Sequence, residues 1–418
     1  MKYYETYSNE NKEENINILY RNKNINKKAV HIGIGNNNKK IEIISIFYKI
    51  ILFFMIIFIL KKLNSFEYMP KIQGINYLER CLSSLNKSES ISNFIINENP
   101  KITVIIPIYN SQNSIKLSLV SILYQNMTNF EIILINDYSN DNSSIIINEM
   151  KKFDNRIKII NNHRNMGTLY SRSIGALNAK GKYIFALDND DLFLNEYIFE
   201  TIFNIAEKDN YDIVEFKAFA IPSYKPKIRE IKQNYFNFHP NNLVLHQPEL
   251  SIFPISRNNK YFINDFLVWG KCIKTTLYQI SVNTLGKKRY SINNCWTEDA
   301  TIIFIIFNLA NSYIFVNKYG IFHLSSKITS SFVLSQEHKI FTEIYFLEII
   351  IEFLKDIEKN KKLIIYKAYD ILDKIKPYKL SEVNKKYLNL VLKKIIDCKY
   401  INQIDKKNVE KKFRESIN

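Results

Sequence analysis

From Lys101 onward the sequence alternates short apolar runs with amphipathic ones, and few folds satisfy that alternation. "ITVIIP" is a compact β-rich run; "SQNSIKLSLVSILYQ" follows it with Ile115, Leu119, Ile122 and Leu123 at helical spacing. The pairing then repeats. "FEIILIND" is a second buried strand, "DNSSIIINEMKKF" a helix opened by Asp and Ser caps, "RIKIINN" a third strand, and "NMGTLYSRSIGALNAK" a helix ending before Gly181. "KYIFALD" is a fourth strand, "NEYIFETIFNIAEK" a fourth helix and "YDIVEF" a fifth strand. Strands that alternate with helices predict an α/β domain on a mostly parallel sheet, because a parallel crossover needs a helix to carry the chain back. Such sheets bind ligands beyond the C-terminal ends of their strands. Polar clusters stand at three of those ends: "PIYN", "NDYSND" and "DNDD".

The last cluster sets Asp188, Asp190 and Asp191 within four residues. Carboxylates repel one another, and strands tend to avoid Asp. Three together become favourable around a hard divalent cation, which takes oxygen ligands and completes its shell with phosphates. On the motif alone, a metal–diphosphate site and a solvated turn with helix-capping Asp both remain open.

Upstream, residues 1–40 are polar and rich in Asn and Lys, which predicts a disordered tail. Ile43–Leu60, "IISIFYKIILFFMIIFIL", is one apolar segment of about 27 Å as a helix, near the ~30 Å of a bilayer core. Its one charge, Lys49, lies nearer the N-terminal end, from which it can snorkel. More unopposed basic residues precede the segment than follow it, so it predicts a single-pass type II protein with the rest of the chain in the Golgi or ER lumen or outside. Residues 64–99 read as a stem. The formal charge of +17 is lysine spread along the chain, and no basic block interleaved with aromatics points to nucleic acid. None of the four cysteines forms a C-x-x-C pair; Cys272 and Cys295 could join in an oxidising lumen, but separate buried thiols are the expectation.

The order and spacing of the motifs from Lys101 to about Asp191 resemble the family 2 glycosyltransferases, which have a GT-A fold. "ITVIIPIYN" resembles the family's opening strand and its P-x-Y-N ending. "FEIILINDYSNDNS" resembles its E-I-I-V-V-D-D-G-S-x-D segment, and "NMGTLYSRSIGALNAKGKYIFALDNDD" its N-x-G through L-D-x-D-D stretch. The resemblance implies that Pro107, Tyr109 and Asn110 line the nucleotide pocket, that Asp137 hydrogen-bonds the base (uracil suits an acidic acceptor), and that Arg172 approaches the donor. It implies that Asp188 and Asp190 hold the nucleotide sugar and its Mn²⁺ or Mg²⁺, with Asp191 a direct metal ligand. Three positions depart from the pattern: Asn136 replaces the first Asp, Tyr138 the Gly, and Ser173 the Asn after Arg.

Past Glu215 the resemblance weakens. "FLVWGKCIKTTLY" resembles a W-x-K stretch that precedes a helix in many members; Trp269 is expected in an acceptor-side sugar floor or in the core. "CWTEDATIIFIIFNLA" opens an apolar helix with acids, which suits a helix dipole. By resemblance it is the family's T-E-D motif, with Asp299 as the base and Glu298 or Asp191 as alternatives. His323 is a candidate further metal or diphosphate ligand.

These expectations give a GT-A domain over residues 101–325. A basic helical region, 339–418, would either pack on that domain or present a basic amphipathic face to a membrane or anionic acceptor. The implied reaction is metal-dependent, inverting transfer from a nucleotide sugar to a hydroxyl on a glycan, protein or lipid. A non-catalytic sugar- or partner-binding GT-A protein and an enzyme like the dolichol-phosphate-sugar synthases are the alternatives.

Overall fold

The computed structural model describes residues 77, 80, 81, 83, 98–222, 243–247, 267–292, 297–325, 335–354, 361–376 and 380–417. The apolar segment 43–60, the tail before it and most of the stem lie outside these residues, as does Cys295. Among the described residues no helix is long and apolar enough to cross a membrane.

The expected alternation is present. Strand β1 (Ile102–Ile108), helix α1 (Ile115–Leu123), β2 (Phe130–Asn136), α2 (Ser143–Phe153), β3 (Ile157–Asn161), α3 (Thr168–Asn178) and β4 (Tyr183–Ala186) follow in order. Strands β1, β2 and β4 are buried along their whole length, as parallel strands covered on both faces must be. The one carboxylate within them, Glu131, is tolerated because Lys158, Thr103 and the Lys180 N–H bond it at 2.5–2.6 Å. Helix α3 packs against β1 and β2 through Gly175, where a Cβ would stand 2.5 Å from Ile105. Helix α2 departs slightly from expectation: its cap is Asn142, and Asp141 instead accepts the Ser143 N–H at 2.9 Å.

The chain continues through β5 (Leu192–Phe193), α4 (Ile198–Lys208), β6 (Ile213–Pro222), β7 (Val244–His246), β8 (Lys271–Lys274), α5 (Thr275–Leu285), α6 (Lys287–Tyr290), α7 (Glu298–Leu309) and β9 (Ser312–Ser325). The sheet runs β3-β2-β1-β4-β8-β6-β9-β5, with β7 paired to β9. It is mixed rather than mostly parallel. β8 enters antiparallel between β4 and β6, and β5 and β7 lie antiparallel to β9; only β3-β2-β1-β4 and β6-β9 are parallel. The parallel half is the half built from repeated strand–helix units, and the later strands lack that regular crossover.

Four further helices, α8 (Gln336–Leu354), α9 (Lys361–Ile375), α10 (Glu382–Ile396) and α11 (Gln403–Ile417), complete the described chain. α8 packs on α7, α9 and α10 pack on α8, and α11 packs on α9 and α10. One apolar core therefore runs from Ile105 in β1 through Ile303 and Phe304 in α7 to Phe413 in α11.

Candidate active site

Parallel pairing brings the ends of β2, β1 and β4 to one edge of the sheet. The loops that leave β1 and β2 are stitched together. Asp137 donates its N–H to the Ile108 carbonyl at 2.8 Å, Asn140 donates to the Asn110 side chain at 2.8 Å, and Gln112 donates to Asp141 at 3.0 Å. Asn189 joins them from β4's end by donating to the Pro107 carbonyl at 3.1 Å. Tyr109 and Tyr138 stand on the two stitched loops, 43% and 53% exposed. Asn110 and Tyr138 adopt left-handed backbone, with φ of 50° and 62°. That geometry explains the Gly of the resembled motif at Tyr138's position, because a side chain there meets steric cost.

Asp137 is buried, and burial pushes its carboxyl up. Three donors oppose that rise: Met166 N–H and Asn162 on Oδ1, Gly167 N–H on Oδ2, each at 2.8 Å. A carboxylate has about four lone-pair sites, so Oδ2 retains capacity for one more donor. Asn136 supports the same corner, bonding Asn161 and the Ser139 N–H at 3.1 Å.

Arg172 rises from α3 into the centre of the site and is 3% exposed. Its guanidinium forks, one nitrogen on Asp188 Oδ1 at the end of β4 and the other on Asp299 Oδ1 at the start of α7. Asp299 Oδ2 accepts the Val268 N–H at 3.2 Å. Burial raises the Asp299 carboxyl, and Arg172 counters it. Glu298 has no such clamp: burial, then the Asp299 charge, push it up to about 8. Tyr278 on α5 completes this wall; its hydroxyl is buried without a hydrogen-bond partner among the described residues.

Asp191 is fully buried and meets His323 Nδ1 at 2.8 Å. Burial would lower the imidazole, but Asp191 holds it up to about 9. Trp269 stacks on the far face of His323 and is 4% exposed. Of the two places expected for Trp269, a sugar floor or the core, this burial fits the core. Asp190 is pushed up to about 7 by burial and by the Asp191 and Asp188 charges.

Among the described residues no three His, Cys, Asp or Glu side chains form a ready-made metal cage. The donors nonetheless fit Mg²⁺ or Mn²⁺, which take one or two carboxylates and complete their shell with phosphate oxygens. The mutual repulsion that raises Asp190 is what a cation there would relieve.

The structure thus gathers Asp188, Arg172, Asp299 and Glu298 at one point and Asp190, Asp191 and His323 beside it. Sequence reasoning missed Tyr278, the Val268 amide and the buried pair Lys271–Glu215; of these only Lys271 carried a signal, as the lysine of the W-x-K stretch.

Residues 103–272 match the family model described as Glycosyl transferase family 2. Glycosyltransferase GlyA of Streptococcus pneumoniae serotype 4 is 30% identical over 214 residues, covering 49% of this chain and 29% of that protein. The poly(ribitol-phosphate) beta-N-acetylglucosaminyltransferase TarP of Staphylococcus aureus is 33% identical over 117 residues, covering 27% of this chain and 35% of that protein. The chain therefore spans about a third of the length of these curated relatives. The crystal structure of S. aureus TarS 1–349 in complex with UDP-GlcNAc is similar with a TM-score of 0.46 at 17% identity, over 75% of this chain and 92% of that one. Glu298, Asp299 and His323 lie beyond the matched family segment.

Proposed function

We propose that this chain, with its family 2 glycosyltransferase domain at residues 103–272, is a metal-dependent inverting transferase that moves a sugar from a UDP-linked donor to an acceptor hydroxyl. The observation that carries the proposal is the fork of Arg172, which ties an acid of the strand-end cluster to an acid at the head of α7. Donor-side and acceptor-side chemistry would then share one buried cation.

In this reading the base of the nucleotide offers a ring N–H to Asp137 Oδ2, with Pro107, Tyr109 and Asn110 lining that pocket. Asp188 and Arg172 face the diphosphate, and Asp190, Asp191 and His323 surround the cation. A bound Mg²⁺ or Mn²⁺ would supply Lewis-acid stabilisation of the leaving diphosphate. The acceptor oxygen forms its bond to the anomeric carbon as the carbon–phosphate oxygen bond breaks, its electron pair leaving with the nucleoside diphosphate. Asp299 takes the acceptor proton. Glu298 is the poorer base, because a carboxyl that keeps its proton up to about pH 8 has no lone charge to offer at neutrality.

Ile43–Leu60 would anchor the protein in a membrane as a single-pass type II helix, with the acceptor a glycan, protein or lipid. TarP's name makes UDP-N-acetylglucosamine the first donor to assay.

The test is nucleoside-diphosphate release from a panel of nucleotide sugars with Mn²⁺, Mg²⁺ or EDTA. Asp191→Ala and Asp299→Ala run alongside. Metal-dependent turnover of one donor, lost in both variants, is expected. No turnover and no metal-dependent nucleotide binding by calorimetry would leave the non-catalytic binding protein as the better reading.

A further inference from the structure

Lys271 opens β8 with a side chain that is 0% exposed. Glu215, its register partner on β6, is 2% exposed, and the two charges stand 3.3 Å apart. A buried ion pair adds little net stability over an apolar pair of similar size. The surrounding strands are otherwise apolar here, with Cys272, Ile273, Val214 and Ile213 all buried, so packing alone gives no reason for the charges.

The direction of the ammonium supplies one. Lys271 Nζ donates to the Leu267 carbonyl at 2.8 Å. That carbonyl and the Val268 N–H belong to a single planar peptide group, with its two dipole ends fixed in opposite directions. The Val268 N–H donates to Asp299 Oδ2 at 3.2 Å. Cation, peptide dipole and carboxylate are therefore aligned head to tail, and hydrogen bonds in such a chain polarise one another. Oδ1 of the same carboxylate is held from the other side by Arg172.

We propose that Lys271 is a positioning residue for the transfer reaction, acting through the Leu267–Val268 peptide to aim Asp299 and to hold one of its oxygens while Arg172 turns to the donor. Glu215 anchors the ammonium from behind. The proposal rests on Asp299 being the base, as argued above. The groups that face Asp299 electrostatically are Arg172, Asp188, Glu298, Tyr278 and Lys271. Of these, Lys271 is the one that acts through a backbone amide.

The experiment uses the full chain in detergent, labelled with ¹³C at aspartate Cγ, with the Asp299 resonance assigned by its loss in Asp299→Asn. The double variant Lys271→Met/Glu215→Gln removes the ammonium without stranding a buried charge. Expected are a higher Asp299 titration midpoint and a fall in kcat of about 10- to 100-fold with donor KM within about twofold, smaller than the about 10²- to 10⁴-fold that outright loss of a general base costs. The acid limb of the pH–rate profile moves the same way as the resonance. A folded double variant with unchanged Asp299 titration and unchanged kcat overturns the proposal. If that variant does not fold, Lys271→Gln, which keeps a short donor, is read by the same two measurements. Should the wild-type chain turn over no donor, the transferase reading fails, and the titration alone then decides whether the relay exists.

Discussion

Trp269 lies against His323 with ring centroids 5.0 Å apart and planes 19° from parallel. The indole thereby fixes the plane of an imidazole whose Nδ1 meets Asp191. Replacing Trp269 by Ala should cost about 3–5 kcal/mol, as for other large buried aromatics. Trp269→Phe should cost clearly less, because it keeps a ring face for His323. Denaturant unfolding of the two variants checks this; equal losses would mean that the stacking contributes nothing beyond volume.

Tyr138 holds φ at 62° on an exposed loop. Left-handed backbone costs an ordinary residue about 1–2 kcal/mol, while Gly carries an entropic penalty of about 0.5–1 kcal/mol. Tyr138→Gly should therefore stabilise the protein by up to about 1 kcal/mol. Tyr138→Ala keeps the Cβ and should give no gain. A matched gain in both variants, measured by urea unfolding, would place the cost in the ring rather than in the backbone.

Asp190 and Glu298 titrate near 7 and near 8 in the folded protein, against ordinary values of 3.8 and 4.5. Between those values the folded state keeps protons that the unfolded state has lost. The stability they lend is full below about pH 4 and disappears as pH rises through 7 and then 8. His323 adds to the same trend, its contribution present below 6.5 and lost as pH rises through about 9. Tm of the metal-free protein should accordingly fall from pH 5 to pH 9, and Asp190→Asn and Glu298→Gln should each flatten the slope.

On the metal-dependent reading, divalent cations would compete with those protons. Mn²⁺ should raise Tm at pH 8 and do little at pH 5.5, where Asp190 is protonated. EDTA should reverse the gain, and Asp190→Asn should remove it. A cation effect of the same size at both pH values would argue against binding at Asp190.

Arg172 reaches two carboxylates at once, which a single ammonium on a flexible stem does less well. Arg172→Lys should preserve the fold, judged by circular dichroism, yet lower kcat by about tenfold or more. Arg172→Met should destabilise the protein by about 3–5 kcal/mol, because Asp188 and Asp299 lose a buried partner.

The first half of the domain was legible because each signal is local. Continuous apolar runs such as "ITVIIP" specify buried strands, and the acids after "KYIFAL" mark a strand end. Later strands hide. β8 is "KCIK", where Lys271 disguises a buried position as a polar one. β9 carries Asn317, Lys318 and Gly320 inside a single strand, and its register against β6 shifts around Lys217. Antiparallel entry of β8 follows from long-range pairing that no local pattern encodes. In the site, the acids and Arg172 were legible as residue types in order; their convergence was not, since Asp299 and Arg172 stand 127 residues apart. A backbone amide such as that of Val268 leaves no trace in a sequence at all.

The match to the family model ends at residue 272, but the apolar core does not: Ile303 and Phe304 of α7 share it with Ile344 and Phe346 of α8 and, farther on, with Phe413. The helix that presents Asp299 is thus roofed by sequence that the family model does not cover. As a unit of inheritance, the matched segment is not a portable cassette. Excised at its own borders it would leave a half-clad core and no seat for Asp299.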